Sequence, residues 1–145
     1  GAKGTLPGGK LNEDFKKRAA DLYKTNHGAE LTEFAYLAES YDAVILCALA
    51  AEAAGNDSGE AISKNLQAVS TAGEKFDVAS GDAVEVLKAA FAAAKDGKDI
   101  DFDGYSGPID FDENGDPTGA SIGIYQYGKD GTSTQIEVVA GNTVK

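Results

Sequence analysis

"KDIDFDGYSGPIDFDENGDPTG", residues 98–119, holds six Asp and one Glu in a chain of 145 residues. Two strings in it, DIDFDG at 99–104 and DFDENG at 110–115, resemble the start of an EF-hand calcium loop. Such a loop also needs a bidentate Glu at its twelfth position and a helix after it. The twelfth position is Asp110 in the first string and Ser121 in the second, and strand-like sequence follows. Turn formation therefore explains the stretch better than calcium, because Asn-Gly favours turns and Asp accepts backbone N–H bonds.

The composition predicts one acidic unit over residues 1–145. Its net charge of −11 and pI near 4.4 disfavour nucleic acid, which requires a basic patch. The single cysteine, Cys47, excludes an intrachain disulfide. The longest apolar run, Ala43–Ala51, is nine residues, against the roughly 20 that a bilayer requires. Because the chain contains no Met, we expect a processed product or a fragment, with any signal or anchor outside it.

Apolar periodicity and capping residues predict an α/β fold that begins with four helices. The helices are expected at about residues 12–27, 32–54, 58–70 and 82–96. Asn12 and Asp82 are suitable N-caps, and Asp57 with Glu60 fits a capping box. The segment Val44–Leu49 is apolar all round, so we expect it to be buried on several sides.

Beyond Gly97 the pattern changes to strands. Apolar residues alternate with polar residues and glycine on both sides of Lys129–Gly131, which predicts a β-hairpin over about 120–139. Near the N-terminus, Gly4–Lys10 has the spacing of a phosphate-binding loop. The next residue is Leu11, where that loop needs Ser or Thr, so we expect a connecting segment instead.

Candidate catalytic groups are few. His27 is the single histidine and lies at a predicted helix end, where a cation suits the helix dipole. Cys47 lies in the most apolar helix, where a small buried hydrophobe is expected. The residues therefore predict no enzyme, no catalytic site, no cofactor and no metal.

Four stretches of the chain carry a family resemblance. They are AYLAESYDAVILCALAAEAAG (35–55), DSGEAISKNL (57–66), GKDIDFDGYSGPIDFDENGDPTG (97–119) and IGIYQYGKDG (122–131). In this order they resemble the C-terminal part of the substrate-binding proteins of ABC transporters for branched-chain and related amino acids. These are type I periplasmic binding proteins, and the resemblance spans about residues 1–140.

The resemblance implies a partial lobe of a two-lobed protein whose lobes are joined by three crossovers. It implies a strand near 107–111, followed by a tight turn on the way to a hinge crossing, and no calcium. An aromatic residue five positions before the Tyr of the Tyr41-Asp42-Ala43 motif often borders the ligand side chain in this family, and here it is Tyr36. Ordinary packing on the helix face is the alternative role for Tyr36.

In function, the resemblance implies the solute-binding component of an ABC importer, located outside the cytoplasm. It would hold an amino acid or a related small solute between the lobes and deliver it to permease subunits. Most contacts to the ligand's head groups would come from earlier parts of the family's chain. The alternative from the residues is a free-standing acidic interaction module, or a calcium-binding module that uses residues 99–116.

The same comparison predicts self-association. In the family, helices of this region cover a mostly parallel sheet whose strands come largely from earlier in the chain. If the 145 residues exist alone, the apolar faces of the 32–54 helix and the edges of the hairpin would be exposed. We therefore expect a twofold dimer.

Overall fold

The computed structural model describes residues 1–142 and confirms an α/β fold with four α-helices. In chain order the elements are β1 (Lys3–Pro7), α1 (Glu13–His27), α2 (Leu37–Ala54), α3 (Gly59–Asn65), a 3₁₀ turn (Gln67–Val69), β2 (Glu74–Asp77), α4 (Ala83–Lys95), β3 (Ile100–Gly104), β4 (Gly107–Pro108), β5 (Gly119–Tyr127) and β6 (Ser133–Asn142). No helix among these residues is long and apolar enough to cross a membrane.

The strands form two separate three-stranded sheets. The core sheet has the order β2-β3-β4, with β2 parallel to β3 and β4 antiparallel to β3. Helix α4 is the crossover between the two parallel strands, as in a βαβ unit. The hairpin sheet has the order β1-β5-β6 and is antiparallel throughout. Chain segments 8–12 and 109–118 therefore each cross between the hairpin sheet and the helices and core sheet.

The hydrophobic core lies between the core sheet and helices α2 and α4. Its buried residues are Leu46, Leu49, Ala50, Val69, Phe76, Val78, Ala90, Ala93, Ala94, Ile100 and Phe102. In β3, Ile100 and Phe102 are fully buried, while Asp101 and Asp103 alternate with them toward the opposite face. On that face Lys75 of β2 lies 2.7 Å from Asp103 and 3.6 Å from Asp101. No described residue of the hairpin sheet belongs to the core, so the two sheets are held together mainly by the crossing segments.

Local capping fixes the ends of α1 and α4 where the sequence predicted them. The side chain of Asn12 accepts the N–H of Phe15 at 3.1 Å, and α1 ends at Gly28 with φ 68°. The side chain of Asp82 accepts the N–H groups of Val84 and Glu85. Both predictions are confirmed.

The second and third helices differ from their predicted bounds. Helix α2 begins at Leu37, not near residue 32, because Tyr36 adopts a left-handed conformation that no helix interior accommodates. Helix α3 is capped by Ser58, whose hydroxyl accepts the N–H of Ala61, rather than by Asp57. It ends at Asn65, and the 3₁₀ turn Gln67–Val69 follows, so the helix predicted at about 58–70 is present as two helical segments.

The strands show the larger corrections. The strand expected near 107–111 is reduced to Gly107–Pro108, and the main strand of this region is Ile100–Gly104. The segment expected to be a connection near the N-terminus is β1, which pairs with β5 in a register that sets Pro7 opposite Ile122. The hairpin is confirmed, although each strand extends beyond 120–139 and a register shift lies between Ile124 and Tyr125.

The burial of α2 is also less complete than predicted. Leu46 and Leu49 are buried in the core, but Val44 is 68% exposed and Cys47 is exposed. The expectation that Val44–Leu49 is covered on several sides is therefore wrong for the described residues. Helix α1 shows a similar pattern, since Phe15 is buried whereas Leu22 is 62% exposed.

Candidate functional site

Tyr36 occupies an unusual position at the start of α2. It is the N-cap residue, with φ 60° and ψ 11°, and no other non-glycine residue in 1–142 has a positive φ. A left-handed conformation costs a bulky L-residue about 1–2 kcal/mol. Such strain concentrates at functional sites, where the surrounding structure maintains it. Tyr36 is therefore a candidate site residue on backbone grounds as well as by resemblance.

The surroundings of Tyr36 hold its backbone but leave its side chain open. The N–H of Ser40 donates to the Tyr36 carbonyl at 3.0 Å, and the N–H of Leu37 donates to the Phe34 carbonyl at 3.2 Å. No side chain caps this helix start. Tyr36 itself is 51% exposed and lies outside the hydrophobic core. Half of the residue is thus available to a partner or ligand.

Nearly two turns further along α2, Asp42 holds the loop between β3 and β4. It is 1% exposed, and its carboxylate accepts the N–H of Tyr105 at 3.0 Å through Oδ1 and the N–H of Ser106 at 2.6 Å through Oδ2. A Cβ at Gly104 would lie 2.1 Å from the Asp42 carboxylate carbon, so glycine is required for this approach. Burial raises the pKa of Asp42, and the hydrogen bonds from Ser106 and Tyr105 oppose that rise.

An aromatic cluster next to this anchor joins α1 to the rest of the fold. The ring of Phe15 stacks on that of Tyr105 at 4.0 Å and meets the edge of Tyr41 at 5.2 Å. The guanidinium of Arg18 donates to the Tyr105 hydroxyl at 2.7 Å. Burial also raises the pKa of Tyr41. Helix α2 thus holds the backbone of Tyr105, and helix α1 holds its side chain.

The second crossing segment, residues 109–118, contains the turn that the sequence predicted. Asp112 Oδ1 accepts the N–H of Asn114 at 2.8 Å and that of Asp116 at 3.1 Å, and Gly115 has φ 82°. Within residues 1–142, no group of three or more His, Cys, Asp or Glu side chains could hold a metal ion. The hydrogen bonds of Asp112 and the positive φ of Gly115 make residues 112–116 a turn, as predicted for this part of the stretch. Thr71 anchors the segment by accepting the N–H of Phe111 at 3.2 Å.

A cavity of about 840 Å³ lies beside α2, between the crossing segments and the hairpin sheet. Its walls come from α2, Leu66, both crossing segments and the ends of β5 and β6. The lining residues are Pro7, Gly8, Glu39, Asp42, Ala43, Leu46, Cys47, Leu66, Ser106, Pro108, Ile109, Asp110, Phe111, Pro117, Thr118, Gly119, Ala120, Ser121, Ala140 and Gly141. Among them are three carboxylates and no basic residue.

The structure separates the residues that the sequence singled out. Tyr36 does not line this cavity, although Glu39, which does, follows it within one helical turn. His27 lies against the ring of Tyr23 at 4.4 Å, whereas Cys47 lines the cavity, so the two form no pair. Sequence reasoning missed the role of Asp42. The available signal was an acidic residue directly before the uncharged apolar run Ala43–Ala51.

Comparisons with known proteins agree on the fold. The profile of the family described as "Receptor family ligand binding region" matches residues 7–130. A search of curated protein sequences gave no significant match. Among solved structures, the fold is similar to that of the leucine binding protein LivK from Thermotoga maritima MSB8, with a TM-score of 0.55 and 23% sequence identity. The similarity covers 96% of this chain and 31% of LivK, so the chain spans about a third of that structure.

Proposed function

Since the chain belongs to the receptor family of ligand-binding regions, we propose that it is part of a two-lobed solute-binding protein that serves an ABC importer. The protein binds a branched-chain or related amino acid between its lobes and delivers it to a permease outside the cytoplasm. The family description names ligand binding, and the similar structure is a leucine binding protein. The proposed activity is binding and release, without catalysis.

The residue that best supports this proposal is Tyr36, which is half-exposed and has a strained backbone conformation. An aromatic wall suits an apolar amino-acid side chain, and ligand pockets are lined mostly by such groups. A tyrosine with no ligand to meet gains little from a left-handed backbone, which costs about 1–2 kcal/mol. We therefore assign Tyr36 to the border of the ligand side chain.

The division of the chain into two sheets supports closure between lobes. The core sheet and its helices form one unit, and the hairpin sheet forms the other. The chain passes between them at residues 8–12 and 109–118. Hinge closure needs a few connecting residues that absorb the backbone change, and these segments have the required place in the fold.

Calorimetry on the full two-lobed protein tests this function. Leucine, isoleucine and valine should bind, and Tyr36→Ala should weaken their binding by about tenfold or more, the loss of one aromatic contact. Because Tyr36 is 51% exposed, we expect its truncation to lower the free energy of unfolding by less than about 1 kcal/mol. Tyr127→Ala is the matched control, since Tyr127 is 49% exposed and lies in the hairpin sheet.

A second substitution at residue 36 distinguishes the effect of backbone strain from the effect of losing the contact between the ring and the ligand. Tyr36→Gly removes the ring and also the cost of the left-handed backbone, so it should be about 1 kcal/mol more stable than Tyr36→Ala. Both variants should bind leucine equally poorly. If neither variant changes leucine binding, or if Tyr36→Ala loses several kcal/mol of stability, Tyr36 is a packing residue and the assignment is wrong.

We also propose that the chain on its own self-associates. Val138 and Val139 of β6 are 39% and 46% exposed, and Leu22 of α1 is 62% exposed. β6 pairs on one side with β5 and has no further strand partner among the described residues. Apolar side chains on an unpaired edge favour pairing with another chain. A twofold dimer is the simplest arrangement.

A further inference from the structure

The cavity beside α2 has the size and composition of a small-molecule site. Its volume of about 840 Å³ falls within the range of roughly 300–1,000 Å³ found for ligand pockets. Its walls are mostly apolar and include Leu46, Ile109 and Phe111. The exposed residues Ala43 and Cys47 lie at its boundary, so it is reachable from solvent.

The charged side chains that line this cavity, among the described residues, are all acidic. Glu39, Asp42 and Asp110 line it, and no Lys, Arg or His does among the described residues. Glu39 and Asp110 are partly exposed and form no salt bridge within residues 1–142. Asp42 is buried, and its pKa is raised by burial and, to a smaller degree, by the charge of Glu39. Another anion in this space would be repelled by all three groups.

We propose that this cavity binds a small amphipathic amine, a molecule with an apolar body, one positive charge and no carboxylate. The apolar walls would take the body of the ligand, and Glu39 and Asp110 would face its ammonium group. An amino acid does not meet this requirement, because its carboxylate would have no basic partner among the described residues that line the cavity. The cavity is therefore a second site, separate from the one proposed at Tyr36.

The position of the cavity gives such a ligand a mechanical effect. Its walls include Gly8 of the first crossing segment, Ile109 of the second, and Ser121 and Ala140 of the hairpin sheet. The helix α2 forms the opposite wall. A ligand in the cavity would contact both the hairpin sheet and the unit formed by the core sheet and its helices. It would therefore favour the relative arrangement of these two units that the structure shows.

The chain's single cysteine provides a direct test, because Cys47 lines the cavity and is exposed. The probes are hexylamine, hexanol and hexanoate, which share one apolar body and differ in charge. We expect hexylamine at millimolar concentration to slow the reaction of Cys47 with a thiol reagent at least about threefold. Hexanoate should give no protection, and NMR titration should show hexylamine binding about tenfold more tightly than hexanol.

Three variants locate the effect. Ala43→Trp fills the cavity and should abolish protection by hexylamine, whereas Val44→Trp, at the next residue and 68% exposed, should retain it. Glu39→Gln should weaken hexylamine binding severalfold and leave hexanol binding unchanged. Equal binding of hexylamine and hexanoate, absence of any binding, or protection that survives Ala43→Trp would each overturn the proposal.

The outcome is independent of the proposed amino-acid site. Tyr36→Ala should leave the protection of Cys47 by hexylamine unchanged, because Tyr36 does not line the cavity. Conversely, Ala43→Trp should leave a direct contact between leucine and Tyr36 intact. If only the Tyr36 variant loses leucine binding, the amino-acid site at Tyr36 is supported. The amine site is tested separately, by hexylamine, hexanol and hexanoate.

Discussion

The contact between Asp42 and Gly104 predicts a strong energetic coupling between two distant parts of the chain. Asp42→Ala removes the acceptor for the N–H groups of Tyr105 and Ser106. Each buried donor left without a partner costs about 1–3 kcal/mol, and removing a buried carboxylate returns part of that cost. We therefore expect Asp42→Ala to lower the free energy of unfolding by about 2–4 kcal/mol.

Gly104→Ala perturbs the same contact by changing residue 104 instead of Asp42. The new methyl group would lie 2.1 Å from Cγ, 2.4 Å from Oδ1 and 2.2 Å from Oδ2 of Asp42. No real Cβ tolerates such distances, so the carboxylate or the loop must move and both hydrogen bonds weaken. Overpacking alone costs about 1–3 kcal/mol, and the lost hydrogen bonds bring the total to at least about 3 kcal/mol.

The double variant Asp42→Ala/Gly104→Ala distinguishes a direct clash between the two residues from two independent destabilising effects. With the carboxylate removed, the methyl group at residue 104 has space, so the double variant should cost little more than Asp42→Ala alone. The coupling energy from urea unfolding of all four proteins should therefore be about 2–3 kcal/mol. Gly81→Ala is the control, because its Cβ would meet only Val86, at an ordinary 3.7 Å. If the two single effects add to within about 0.5 kcal/mol, the reasoning is refuted.

Two further predictions concern pH and assembly. Because burial raises the pKa of Asp42 above 3.8, its contribution to stability is fully present below that pH and is lost as pH rises through the folded pKa. The stability deficit of Asp42→Asn relative to the wild type should therefore shrink between pH 3.8 and neutral pH; a growing deficit would show that the pKa is lowered instead. Light scattering at micromolar concentration should show a dimer of the 145-residue chain, and Val138→Lys should dissociate it if β6 forms the interface. A monodisperse wild-type monomer would contradict self-association, and a dimer that withstands Val138→Lys but not Leu22→Lys would place the interface on α1.

The elements that the sequence predicted well are those whose signals are local. Asn12, Asp82 and Gly28 act on backbone groups within four residues of themselves, so their effect can be predicted from short windows. The hairpin similarly follows from alternation around one turn. The family resemblance then extended these local signals to a partial lobe, which the structural comparison supports.

The elements that sequence reasoning missed depend on distant partners. β1 becomes a strand by pairing with β5, and Pro7 meets Ile122 in that register. In β3, the aspartates suggested turns or ligands, yet they occupy one face of a parallel strand whose other face holds Ile100 and Phe102. The conformation of Tyr36 and the hydrogen bonds of Asp42 likewise require the folded backbone. Only β3 has a periodic signature, the alternation of Ile100 and Phe102 with the aspartates, and in the sequence that alternation was outweighed by the turn-forming and ligand-like character of Asp.

The proposed contact between Tyr36 and a ligand predicts a mechanical connection from that ligand to the second crossing segment, because these residues lie along α2. Tyr36 begins the helix, Glu39 and Ala43 line the cavity, and Asp42 holds the loop that leads into the second crossing segment. A rigid helix transmits displacement along its length, so a ligand that moves the start of α2 also moves Asp42 and the loop attached to it. The two hydrogen bonds from Tyr105 and Ser106 make that attachment stiff. Loosening them in Asp42→Asn should therefore reduce the coupling between leucine binding and closure, even though Asp42 has no contact with Tyr36's ring among those described.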